Sequence, residues 1–185
     1  MGIPMNDRSD PMAIPRTLPQ RAKVLVVDDT DSNRLAFSTI LEGPRHEIFQ
    51  ARDGVEALEL IIENEFAVIL LDVRMPGMGG LETAQNIRAR RRSRYTPIIF
   101  LSAYDSTATE VSKGYVIGGV IDYLLSPVDP DMLRSKVSFL TDFYLRSQEA
   151  GREILELRER CASQERRIRE LERLLPTPLN GQPTP

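Results

Sequence analysis

Three aspartates stand where short apolar runs end. Asp28 and Asp29 follow Lys23–Val27 (KVLVV), and Asp72 follows Ala67–Leu71 (AVILL). Two hydroxyls hold comparable places: Ser102 after Pro97–Leu101 (PIIFL) and Ser126 just beyond Val120–Leu124 (VIDYL). If these runs are strands of one parallel sheet, their carboxyl ends share an edge, and ligands of open α/β sheets bind at that edge. Three carboxylates brought together there repel one another. A hard divalent cation relieves the repulsion, and a small set of oxygen ligands points to Mg²⁺. Taken alone, an Asp-Asp pair is an ordinary loop, Ser102 a strand-end cap and Tyr123 a core residue. Their meaning comes from the set.

The elements that must position these groups are legible as alternating patterns. The four runs are apolar on both faces, which suits buried parallel strands. His46–Gln50 is a less regular fifth candidate, with His46 expected to be exposed or at a strand edge. Helical spacing appears over Asn33–Leu41, Val55–Ile62 and Leu81–Arg90. The order βαβαβαβαβα implies a doubly wound, five-stranded parallel sheet with helices on both faces. Its crossovers are expected to be right-handed.

Composition sets the outer bounds. The 185 residues carry 41 % hydrophobic and 28 % charged side chains and a net charge of −3. That length suits one domain with appendages. The charge balance calls for neither a nucleic-acid nor a membrane partner, and no apolar run is long enough to span a bilayer. With Cys161 as the single cysteine and His46 as the single histidine, an internal disulfide and a zinc site are both excluded. A cytoplasmic location is the expectation. Prolines crowd both ends, so residues 1–21 and 176–185 read as disordered tails. The arginines at 88, 90, 91, 92 and 94 read as the solvated end of a helix, where cations suit the macrodipole, rather than as an RNA-binding or phosphate-binding patch.

The segments VLVVDD (24–29), LLDVRMPGMGG (70–80), FLSA (100–103) and DYLLSP (122–127) together resemble the receiver domains of two-component response regulators. The handed-down fold is flavodoxin-like, over residues 22–146. The resemblance implies that Asp72 accepts a phosphoryl group from a histidine kinase. It implies that Asp29 contacts Mg²⁺ directly, with Asp28 in support and Arg74 lending its backbone carbonyl. Ser102 would hydrogen-bond the phosphoryl group, Tyr123 would be the aromatic switch, and Pro127 would follow a cis peptide bond. One departure stands out. The family places a lysine before that proline, and this chain has Ser126. A hydrogen bond to a charged group is worth about 1.5–3 kcal/mol against about 1 for a neutral one, so the hydroxyl should weaken coupling between the phosphoryl group and the fifth strand.

Beyond Pro130 a seven-residue apolar register runs on to Leu175, taking in Leu133, Leu140, Ile154, Leu157, Cys161, Ile168, Leu171 and Leu175. This is a coiled-coil seam, and residues 147–175 are expected to form its helix. Ser147, Gly151 and Gln164 weaken it. In a parallel pair, Glu153 meets Arg158, Arg160 meets Glu165, and Arg167 meets Glu172. Each contact is worth only about 0.2–1 kcal/mol, so the charges select orientation more than they stabilise. The seam residues Leu140, Ile154, Leu157, Cys161, Ile168, Leu171 and Leu175 are therefore expected to join two parallel copies. The chain has no helix-turn-helix, no enzymatic output motif and no context for a phosphorylatable histidine. Three readings follow: a phosphorylation-driven response regulator that signals to a downstream protein, a phosphorylation-independent scaffold in which Ser126 marks a lost switch, and the input part of a longer hybrid kinase or enzymatic regulator.

Overall fold

The computed structural model describes residues 21–103 and 120–174. The expected tails, apart from Arg21, and residues 104–119 fall outside the described residues. The elements run β1 (Ala22–Val27), α1 (Asp31–Leu41), β2 (His46–Ala51), α2 (Gly54–Glu63), β3 (Val68–Asp72), α3 (Gly80–Ala89), β4 (Ile98–Ala103), β5 (Val120–Ser126) and α4 (Pro130–Leu174). The sheet order is β2-β1-β3-β4-β5, and every pairing is parallel. The doubly wound, five-stranded parallel fold expected from the sequence is the one observed.

Side chains alternate across each strand, and the sheet therefore builds two cores. Leu25, Val27, Ile69, Leu71 and Phe100 pack with Ala57 and Ile61 of α2 and Ala84 and Ile87 of α3. Val24, Val26, Val68, Leu70 and Ile99 pack on the other face with Phe37 and Leu41 of α1 and Leu133, Val137 and Leu140 of α4. Each buried Val, Leu, Ile or Phe among them contributes about 1.5–3 kcal/mol of transfer free energy. Leu140 is thus a core residue, which corrects its expected place on a dimer seam. A seven-residue spacing does not distinguish an apolar stripe that faces a partner from one that faces the sheet.

His46 opens the edge strand β2, but its side chain is buried rather than exposed. Its Nδ1–H donates to the Leu41 carbonyl at 2.9 Å, since that oxygen can only accept. Its Nε2 lies 3.1 Å from Thr141 Oγ1, which is also 3.0 Å from the Ser138 carbonyl. Thr141→Val keeps the side-chain outline and removes the partner of Nε2. It is expected to destabilise the chain by about 1–3 kcal/mol, the cost of a buried polar atom left unpaired, read as a lower urea midpoint.

The arginine cluster is more engaged than a solvated helix end would be. Arg88 is half-buried and donates to the Ser93 carbonyl at 3.2 Å. Arg92 pairs with Glu65 at 2.9 Å.

The chain divides after Thr141 into two compact units. In the second, every residue from Glu149 to Leu174 is exposed, including Ile154, Leu157, Ile168 and Leu171. Leu175 lies outside the described residues. Among the described residues, no helix is long and apolar enough to cross a membrane.

Candidate functional site

The three aspartates come together at the carboxyl edge of the sheet. Asp28 and Asp29 follow β1, and Asp72 is the last residue of β3, the strand hydrogen-bonded beside it. One carboxylate oxygen from each lies within 4.8 Å of the others. Asp28 is buried, Asp72 partly so, and Asp29 exposed, which leaves the cluster open to solvent on one side.

Charge and burial act on the same groups. The Asp72 carboxyl is pushed up to about 6, first by burial and then by the charges of Asp28 and Asp29, while the Arg74 and Val73 backbone N–H groups oppose the rise. The Arg74 N–H donates to Asp72 Oδ1 at 3.2 Å. Burial also raises Asp28, with Asp29 adding to it, against hydrogen bonds from Thr30 and Asn33. Carboxylate oxygens gathered this closely could hold a divalent cation. Three carboxylates and little else favour a hard ion such as Mg²⁺.

The neighbouring strands complete the edge. Ser102 is buried within β4, its Cα paired with that of Leu125, and Ser126 is exposed at the end of β5, paired with Ala103. The Ser126–Pro127 peptide bond is cis. Tyr123 is partly buried on β5, its ring centroid 5.0 Å from that of Phe100. Arg74 is exposed just beyond β3. Lys136 pairs with Asp122, so its ammonium is committed to the flank of β5.

The chain matches the family described as "Response regulator receiver domain" over residues 24–138. It belongs to that family. Phosphorylation on an aspartate, Mg²⁺ in an acidic pocket and a histidine kinase as phosphodonor are general features of such receivers. The receiver is 33 % identical to "Response regulator PleD" of Caulobacter vibrioides over 142 residues, 77 % of this chain and 29 % of that protein. It is 38 % identical to "Transcriptional regulatory protein SrrA" of Staphylococcus aureus over 108 residues, 58 % of this chain and 43 % of the relative. These relatives therefore extend well beyond the part that the chain spans. Among solved structures, the Vibrio cholerae chemotaxis protein CheY4 aligns with a TM-score of 0.60 at 32 % identity, over 65 % of this chain and 98 % of its own. The Francisella response regulator 1452 receiver domain aligns at 0.59 and 35 %, over 67 % and 99 %.

Two features of the site were missed in the sequence. Gly80, at the start of α3, packs directly on the backbone of Asp72. Asn33, on the first turn of α1, hydrogen-bonds Asp28. Gly80 was visible as the end of the LLDVRMPGMGG motif, and an amide five residues after Asp28 was the only available sign of the second.

Proposed function

We propose that this receiver takes a phosphoryl group on Asp72 from a histidine kinase and passes the change to a parallel pair of α4 helices. The observation that carries the reading is the convergence of Asp28, Asp29 and Asp72 within 4.8 Å at the end of β1 and β3. Asp28, Asp29, Asp72 and the backbone carbonyl of Arg74 would hold Mg²⁺, which when bound offsets the charge gathering on the phosphoryl oxygens. An oxygen of the ionised Asp72 carboxylate forms the new P–O bond in line with the breaking P–N bond of the donor phosphohistidine. The electron pair of that bond returns to the imidazole nitrogen, which takes up a proton. Ser102 offers a hydroxyl to the transferred group, and Tyr123 on the adjoining strand responds to its movement. Positioning and charge neutralisation suffice for such a transfer. The test is the full chain with Mg²⁺ and acetyl phosphate, read by intact mass beside Asp72→Asn and a chelator control. A phosphoryl adduct missing from both controls supports the reading. An adduct unchanged in Asp72→Asn overturns it.

The output half rests on exposed Ile154, Leu157, Ile168 and Leu171, on exposed Cys161, and on the attractive pairs of a parallel arrangement. Mild oxidation is expected to give a disulfide-linked dimer through Cys161 on a non-reducing gel, and a persistently monomeric band would contradict the register.

Ser126 favours a second reading, a scaffold that no longer switches. The two separate on Ser126→Lys. If the switch operates, the added ammonium is expected to tighten binding of the phosphoryl mimic beryllofluoride about tenfold, the equivalent of about 1.4 kcal/mol for a charge-assisted hydrogen bond. A scaffold would show no change. The length of the relatives beyond the matched part favours a third reading, in which this receiver is the input portion of a larger regulator.

A further inference from the structure

Asp28 is held differently from the other two carboxylates. It is only 2 % exposed, and its Oδ1 accepts the Thr30 N–H at 2.8 Å. The Asn33 side chain straddles the carboxylate, its Nδ2 3.2 Å from each oxygen. The amide must face this way, because its own oxygen would repel the carboxylate. The next residue, Arg34, donates Nη1 to the Asp28 carbonyl at 2.7 Å. Both the main chain and the side chain of Asp28 are therefore tied to the first turn of α1. Asp29, by comparison, accepts from the hydroxyl of its neighbour Thr30 at 3.2 Å, and Asp72 from the Arg74 backbone.

We propose that Asn33 is a positioning residue of the cation site, fixing the Asp28 carboxylate in one orientation and thereby setting the affinity of the cluster for Mg²⁺. The proposal rests on the cation site described above. Two effects act together. The amide donor offsets part of the negative charge, so three carboxylates can share a small volume. It also removes the rotamer freedom that Asp28 would otherwise lose when an ion binds. Partners that orient metal-binding groups in this way are typically worth about 10–100-fold in metal affinity. Asn33 is itself exposed, so replacing it disturbs no packed core.

The test is a Mg²⁺ titration of the full chain, followed by the backbone amide signals of Thr30 and Arg74. Asn33→Leu keeps the outline without a donor, Asn33→Ala removes both, and Asn33→Gln returns an amide on a longer arm. The expected result is Mg²⁺ affinity at least about tenfold weaker in the Leu and Ala variants, beyond what any lowering of the urea midpoint in chelator accounts for, with partial recovery in the Gln variant. Wild-type affinity in the Leu and Ala variants would overturn the role. So would a loss of affinity that merely follows a lowered midpoint. A wild-type chain that does not bind Mg²⁺ would overturn the cation site and this role together, and is told apart by that first titration.

Discussion

In the metal-free chain, Asp72→Asn is expected to raise stability at pH 7 by on the order of 2 kcal/mol. The carboxyl of Asp72 sits at about 6 in the folded chain, against a usual 3.8. A shift of that size corresponds to about 3 kcal/mol at full strength, and solvent at this partly exposed group reduces it. The sign follows from linkage. The folded state binds the proton more tightly than the unfolded state does, so the contribution is full below pH 3.8 and is lost as pH rises toward 6. The wild type should therefore lose stability across that window, and the variant should lose less, because a neutral amide neither titrates nor repels Asp28 and Asp29. Added Mg²⁺ should reverse the order by stabilising the wild type more strongly. Urea midpoints between pH 4 and 7, in chelator and in Mg²⁺, check this. Parallel curves for the two proteins would contradict the repulsion.

Gly80→Ala is expected to damage both the fold and the phosphoacceptor. A Cβ at this position would lie 2.0 Å from the Asp72 carbonyl oxygen and 2.9 Å from its carbonyl carbon. These are backbone atoms that cannot rotate aside. The Gly80 N–H also donates to the Val73 carbonyl at 3.1 Å, which fixes the start of α3 against the end of β3. Relieving the clash means moving the strand end that carries Asp72. Overpacking of this kind costs about 1–3 kcal/mol, and a displacement near 1 Å at a reacting group costs about 100-fold in rate. Stability by urea titration and the initial rate of labelling by acetyl phosphate should both fall. Substitution of Gly43, where an added Cβ meets nothing within 4 Å, is expected to leave labelling unchanged.

The parts of the molecule that the sequence disclosed are those governed by local pattern. Uninterrupted β-branched runs mark strands buried on both faces, and the strand ends then place Asp28, Asp29 and Asp72 on one edge. The strand limits shifted by one or two residues: Ser102 lies inside β4, and Ser126 ends β5. The features that escaped depend on which elements meet in space. Leu140 shares a heptad position with Ile154 but faces the sheet, because α4 packs on it there. His46 is buried because Thr141, 95 residues away, supplies its second partner. Lys136 is no substitute for the missing family lysine, because its ammonium pairs with Asp122. The grip of Asn33 on Asp28 needs α1 to start at Asp31, two residues before its apolar pattern does.

Phosphoryl transfer to Asp72 is tested by locating the phosphoryl group itself. The chain is incubated with Mg²⁺ and acetyl phosphate, treated with borohydride to reduce any aspartyl phosphate to homoserine, digested, and its peptides sequenced by mass spectrometry. Homoserine is expected at position 72, with unmodified aspartate at 28 and 29. Homoserine at 28 or 29, or none under conditions that convert an ordinary receiver, would contradict transfer to Asp72.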